Sequence, residues 1–112
     1  MSKAEKHALR SKEKSAVVNE IRNKDNAFVL FYATWCPFSQ WFLPIFEEFA
    51  KSSPRECLSV IVDNNPDVCD EYSIEYYPTV ILFEKGKVHR RLDAQPGVGL
   101  NKKQLRDFAE KK

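Results

Sequence analysis

Cys36 is the residue of this sequence that is best placed for nucleophilic chemistry. It follows an apolar run over residues 28–33 and comes directly before an amphipathic helical pattern. A cysteine at the start of a helix meets unpaired backbone N–H groups and the positive end of the helix dipole, and both favour thiolate over thiol. Because the thiolate is the attacking species in disulfide exchange, this position predicts redox chemistry at Cys36.

Ser39 lies three residues after Cys36, on the same face of the predicted helix. Its hydroxyl group could donate a hydrogen bond to the sulfur and favour the charged form further. A free cysteine is most often a small buried hydrophobe, and we keep that interpretation for Cys57 and Cys69. We prefer the redox interpretation for Cys36 because open α/β sheets place their sites at the carboxyl ends of strands.

Composition narrows the class of protein. The 112 residues suffice for one domain, and 43% hydrophobic residues with a net charge of +2 indicate a globular chain with a mixed surface. We therefore expect no nucleic-acid partner, and no apolar stretch is long enough to cross a membrane. The amino terminus is charged and leads into no apolar segment, so we expect no secretory signal. Three cysteines are too few for a disulfide scaffold. We therefore expect a cytoplasmic protein. The cysteines and histidines lack zinc-ligand spacing, so we expect no metal and no cofactor.

The pattern of apolar residues predicts two segments of one domain. Residues 1–26 form a charged helix, which starts at the capping-box spacing of Ser2 and Glu5 and docks its second half on the core. Residues 27–112 alternate strands and helices. Strands are predicted over 28–33, 58–62, 80–83 and 88–92, and helices begin at Pro37, at Pro66 after the cap Asn65, and near Asn101.

In the predicted helix after Cys36, the inner face is apolar at residues 38, 41, 42, 45, 46 and 49. The uninterrupted apolar strands are typical of strands buried on both faces. The order of helix, strand, helix, strand, helix, strand, strand and helix therefore predicts an α/β fold, with a mixed β-sheet flanked by helices on both faces.

Several segments in register resemble the thioredoxin family from about Phe28 to the carboxyl end. They are Phe31-Tyr32-Ala33-Thr34-Trp35-Cys36-Pro37, Pro44, Val62-Asp63-Asn64-Asn65-Pro66, Tyr77-Pro78-Thr79 and Gly86. The resemblance implies a thioredoxin-like fold whose first strand is missing or replaced by the N-terminal helix. It also implies that Cys36 is an exposed nucleophile beside a cis-proline, Pro78, and that substrates dock over Trp35, Pro37, Tyr76, Tyr77 and Pro78.

The sequence departs from the family at positions that matter for turnover. Ser39 stands where the family has its second cysteine, Leu30 stands at the buried aspartate, and Ser59 stands at a lysine often found near it. The loop over residues 93–100 is longer than usual. A serine hydroxyl is a poor nucleophile without a base, so Cys36 can form a mixed disulfide that an outside thiol must resolve.

The leading hypothesis is a monomeric monothiol protein that exchanges or captures disulfides on proteins or low-molecular-weight thiols, with catalytic roles for Cys36 and Ser39. We expect weak or no general disulfide reductase turnover. Two alternatives remain open. One is a binding module in which Cys36 is incidental. The other is a carrier of an iron–sulfur cluster or glutathione, because Cys36-Pro37-Phe38-Ser39 is similar to the Cys-Gly-Phe-Ser of monothiol glutaredoxins.

Overall fold

The computed structural model describes residues 17–110, and these follow the predicted order of elements. Helix α1 covers the described residues 17–22. It is followed by β1 (Asn26–Tyr32), α2 (Pro37–Ser52), β2 (Glu56–Ile61), a 3₁₀ turn (Val62–Asn64), α3 (Pro66–Tyr72), β3 (Thr79–Glu84), β4 (Lys87–Asp93) and α4 (Lys102–Glu110). No helix in this part of the chain is both long and apolar enough to cross a membrane.

The four strands form one mixed sheet in the order β2-β1-β3-β4. The central strand β1 runs parallel to β2 and antiparallel to β3, and β4 returns antiparallel beside β3. Within residues 17–110 no strand precedes β1, and β2 lies at one edge of the sheet. The predicted α/β fold with a mixed sheet is confirmed.

The side chains of β1 point alternately to the two faces of the sheet, so each face has its own part of the core. One face buries Val29 and Phe31 against residues from α1, α3 and the segment after α3, among them Ile21, Val68 and Ile74. The other face buries Phe28 and Leu30 against α2 and α4, through Phe42, Phe46, Leu105 and Phe108. The apolar run of β1 is therefore uninterrupted because both of its faces are covered.

Helix α1 packs its described end against the sheet through Val18 and Ile21, which are 5% and 0% exposed. The predicted helix start at Ser2 and Glu5 lies outside the described residues. The β3–β4 turn reaches the carboxyl end of this helix. Gly86 there has a φ of +81°, and a Cβ atom on it would lie 2.8 Å from the backbone of Arg22. Glycine thus permits both the turn and the close approach.

The starts of α3 and α4 are capped differently. Asn101 and Gln104 form the predicted capping box, in which each side chain accepts a hydrogen bond from the other residue's backbone N–H, at 2.8 and 2.9 Å. Asn65 does occupy the N-cap position of α3, but its side chain makes no capping hydrogen bond. It donates instead to the carbonyl of Ile61, at 3.0 Å.

Candidate functional site

Cys36 occupies the N-cap position of α2, four residues after the end of β1. Its backbone N–H donates to the Ala33 carbonyl at 3.3 Å, and its own carbonyl accepts the N–H of Gln40 at 3.0 Å. Pro37 is the first residue of the helix, where its missing N–H costs nothing. The cysteine thus lies at the strand-to-helix junction that its sequence context indicates.

The Cys36 side chain is less accessible than we expected. The residue is only 7% exposed and belongs to the core cluster with Ala33, Val62 and Ile74. Its Sγ atom lies 3.9 Å from the Tyr77 carbonyl oxygen, in position to donate a weak hydrogen bond. The expectation of an exposed nucleophile is therefore wrong, because the sulfur packs against the segment that leads into β3.

Ser39 contacts the loop before the helix. Its side chain is fully buried, and its Oγ atom accepts a hydrogen bond from the backbone N–H of Ala33 at 3.2 Å. Among the described residues, no hydrogen bond links Ser39 to Cys36. The suggested hydroxyl-to-sulfur hydrogen bond is thus not formed, since the hydroxyl lies beneath the loop, where it satisfies a buried backbone donor.

A polar network that the sequence analysis missed holds the same loop from its outer side. Asp63 accepts hydrogen bonds from both the hydroxyl and the backbone N–H of Thr34, the latter at 3.2 Å. Gln40 Nε2 donates to the Thr34 carbonyl at 2.6 Å. The hydrogen bond from the Thr34 hydroxyl lowers the pKa of Asp63 below its usual range. Parallel strands end at a common edge, so the positions of Thr34 and Asp63 were a usable signal.

Several aromatic side chains of α2 and of the segments next to Cys36 and Tyr77 are open to solvent. Trp35, Trp41 and Tyr76 are 66%, 59% and 45% exposed. Phe38, at 38%, lies under the 93–100 loop, where a Cβ atom on Gly99 would come within 2.8 Å of its ring. The prediction that Phe38 and Trp41 face inward is wrong, because the first turn of α2 buries Ser39 instead.

The other residues of the predicted docking surface differ in accessibility. Pro37 is exposed, Tyr77 is half-buried and Pro78 is buried. The Tyr77–Pro78 peptide bond is cis. The Tyr77 ring meets Trp35 edge-on, with centroids 5.8 Å apart. The structure thus gathers these residues around Cys36, while their role in docking stays a prediction.

The other two cysteines have separate surroundings, and all three are free thiols. Cys57 packs on the sheet face opposite the Cys36 cluster, and burial raises the pKa of its thiol. Cys69 Sγ lies 3.6 Å from the Tyr77 hydroxyl. That hydrogen bond, together with burial, raises the pKa of Tyr77 to about 12.

The structure places no carboxylate at the position of the family's buried aspartate. Leu30 is fully buried there, packed in the α2–α4 core, and its neighbour across the β1–β2 pair is the exposed Ser59. Over residues 17–110, no group of three or more histidine, cysteine, aspartate or glutamate side chains is arranged to hold a metal ion.

Comparison with known proteins identifies the family. A sequence model described as Thioredoxin matches residues 8–111. Endoplasmic reticulum resident protein 44 of Homo sapiens is 39% identical over 79 residues, which are 63% of this chain and 20% of that protein. Thioredoxin of Rickettsia bellii is 37% identical over 59 residues, 51% of this chain and 56% of that protein. The chain thus spans only about a fifth of the first of these relatives.

Solved structures agree in fold. The structure of Fasciola hepatica thioredoxin is 28% identical with a TM-score of 0.70, over 88% of this chain and 90% of that one. Mitochondrial thioredoxin 3 from Saccharomyces cerevisiae, in its oxidized form, has a TM-score of 0.72 at 24% identity, over 86% and 87% of the two chains. With the family model matching nearly the whole chain, this protein belongs to the thioredoxin family.

Proposed function

We propose that this protein carries out thiol–disulfide exchange through Cys36 as a monothiol member of its family, acting on protein disulfides or low-molecular-weight thiols. The observation that carries the proposal is the pairing of Cys36, at the N-cap of α2, with a buried serine three residues later. The relatives named above, a thioredoxin and an endoplasmic reticulum resident protein, support the coarser assignment to thiol–disulfide chemistry.

The exchange proceeds in two displacements. The Cys36 thiolate attacks one sulfur of a target disulfide, its S–S bond breaks, and the departing thiolate takes up a proton. The product is a mixed disulfide between Cys36 and the target. An outside thiolate then attacks this mixed disulfide, which releases Cys36 and leaves the outside sulfur bonded to the target. Electrons and protons balance with the outside thiol as the reductant.

Among residues 17–110, we identify no group at Cys36 that could replace that outside thiol. The Ser39 hydroxyl is engaged with Ala33, and Leu30 supplies no base to activate it. Cys57 lies on the opposite face of the sheet, and the Cys69 thiol is hydrogen-bonded to the Tyr77 hydroxyl. The mixed disulfide is therefore expected to persist until a small thiol or a partner reductase reaches it.

Reduction of insulin by the wild-type protein and by Ser39→Cys, each with dithiothreitol as the reductant, tests this proposal. A second thiol at position 39 can resolve the mixed disulfide internally, so we expect turnover to rise by about tenfold or more. Ser52→Cys, which adds a thiol at the far end of α2, is the matched control and should not change the rate. Wild-type turnover as fast as that of Ser39→Cys would refute the monothiol assignment.

A second candidate function is a binding module without chemistry. It is favoured by the contrast between a nearly buried Cys36 and the exposed Trp35 and Trp41 beside it. The probe is an unfolded polypeptide whose cysteines are blocked by carboxymethylation, with binding followed by tryptophan fluorescence. Equal binding by the wild type and Cys36→Ala, with no exchange by the wild type, would select this function over the first.

We also propose that the protein resides in a reducing compartment, the cytosol, as the three free thiols suggest. The name of endoplasmic reticulum resident protein 44 gives that relative a different location. Imaging of the full-length chain with a carboxyl-terminal tag tests the proposal. Coincidence with a marker of the endoplasmic reticulum would overturn it.

A further inference from the structure

Tyr77 contacts two cysteines: its backbone carbonyl lies against Cys36, and its side-chain hydroxyl lies against Cys69. Its carbonyl oxygen lies 3.9 Å from Cys36 Sγ, and its ring packs edge-on against Trp35 with centroids 5.8 Å apart. Its hydroxyl group lies 3.6 Å from Cys69 Sγ. One residue thus connects two cysteines that are 33 positions apart in the sequence.

The helix that carries Cys69 is itself well anchored. Arg91 donates hydrogen bonds to the carbonyls of Tyr72 and Ser73, at 2.7 and 3.2 Å. The backbone N–H of Ile74 donates to the Cys69 carbonyl at 2.9 Å, and the Ile74 side chain is buried. Cys69 therefore offers Tyr77 a fixed point of attachment.

We propose that Cys69 is a positioning residue for the Cys36 site. Its contact with the Tyr77 hydroxyl holds in place the residue whose backbone carbonyl lies against Cys36 Sγ. The proposal rests on the exchange function assigned to Cys36. The geometry supports it, because the Tyr77 hydroxyl and the Cys69 thiol lie 3.6 Å apart and either group can donate to the other.

The physical argument concerns access. Cys36 as a residue is only 7% exposed, and its sulfur lies against the Tyr77 carbonyl. Its reaction with a reagent is therefore favoured by states in which Tyr77 has moved away, and the rate rises with the population of those states. On this proposal, the contact between Cys69 and Tyr77 is made in the closed arrangement and is lost when Tyr77 moves away from Cys36. Removing it should raise the open population, and hence the reactivity of Cys36, by about threefold, which is near the lower end of what one hydrogen bond contributes and suits a weak bond to sulfur.

The experiment follows alkylation of Cys36 by iodoacetamide, quantified on its own peptide by mass spectrometry. Cys69→Ala and Tyr77→Phe each remove one side of the contact, and each should accelerate the reaction about threefold. The double variant should be no faster than either single one, since both act through one contact. Cys69→Ser keeps a hydrogen-bonding group and should return toward the wild-type rate. Cys57→Ala is the matched control and should leave the rate unchanged.

A second readout separates positioning from general loosening. In a Trp41→Phe background the emission of Trp35 reports its contact with the Tyr77 ring, and it should shift in Cys69→Ala but not in Cys57→Ala. Unchanged emission, rates that multiply to about ninefold in the double variant, or failure of Cys69→Ser to restore the rate would overturn the role of Cys69.

The proposed function has its own control in the same samples. If wild-type Cys36 forms no mixed disulfide with oxidised glutathione, the exchange function fails whatever the alkylation rates show. If it does form one while the Cys69 variants alkylate at the wild-type rate, only the positioning role is lost.

Discussion

The side chains around the loop of residues 33–36 restrain it from two sides. Ser39 accepts the Ala33 N–H from below, and Asp63 binds the hydroxyl and N–H groups of Thr34 from the outer edge of the sheet. These contacts fix the backbone that carries Cys36. Through these contacts, the charge of the exposed Asp63 carboxylate affects where the Cys36 thiol is held.

The Asp63 network predicts a specific dependence on pH. Because hydrogen bonds from Thr34 hold the pKa of Asp63 below its ordinary value of 3.8, the stabilisation is fully present above that value and is lost as pH falls through the lower, folded-state pKa. Asp63→Asn should therefore be less stable than the wild type at pH 7, and the difference should shrink below pH 4. Urea unfolding at several pH values measures it.

Asp70→Asn, at an exposed position on α3, is the control for that comparison. Its difference from the wild type should vary less over the same pH range, because the structure shows no hydrogen bond to this carboxylate within residues 17–110. A deficit of Asp63→Asn that stays constant from pH 7 to pH 3 would contradict the assigned role of the carboxylate.

The sequence was enough to predict where Cys36 lies in the fold, but not its burial or the hydrogen-bond partner of Ser39. The position of Cys36 follows from the junction of a strand with a helix, which local patterns indicate well. Its exposure and the partner of Ser39 depend on the rotation of the first turn of α2. A helix turns by about 100° per residue, so a small rotation decides whether Phe38 or Ser39 faces the core.

Among the helices, α4 depends most visibly on its first turn. Its inner face contributes Leu105 and Phe108 to the core beside α2, so fraying of its start would weaken that packing. The reciprocal hydrogen bonds of Asn101 and Gln104 close the helix start and satisfy two backbone donors. The spacing of these two residues was enough to predict them, because a capping box is a local structure.

Asn101→Ala should lower the free energy of unfolding by about 1 kcal/mol, since it removes the acceptor for the Gln104 N–H. Asn101→Asp retains an acceptor and should stay close to the wild type. Lys102→Ala, at an exposed site in the same turn, controls for changes in surface charge. Equal stability of Asn101→Ala and Asn101→Asp in urea unfolding would show that the capping hydrogen bond does not stabilise the fold.

Across the whole molecule, two apolar cores share a single sheet. Neighbouring residues of β3 alternate between them: Ile81 packs on the face of α1 and α3, and Leu82 packs on the face of α2 and α4. Cys36 belongs to the first core although it is the N-cap of α2, whose buried residues Phe42 and Phe46 belong to the second. The candidate site therefore lies where the two cores meet at the end of β1.

This arrangement predicts that the two cores unfold together. Ile81→Ala and Leu82→Ala each remove a side chain that is no more than 1% exposed, and each should cost about 2–5 kcal/mol. Because β1 and β3 supply both cores, each variant should shift a single transition that far-ultraviolet circular dichroism and tryptophan fluorescence report at the same urea concentration. Glu47→Ala, at an exposed position of α2, should stay within about 0.5 kcal/mol of the wild type. Separate midpoints for the two probes in either core variant would mean that the two faces of the sheet unfold independently. A destabilising change on the α1–α3 side would then leave the α2–α4 side folded.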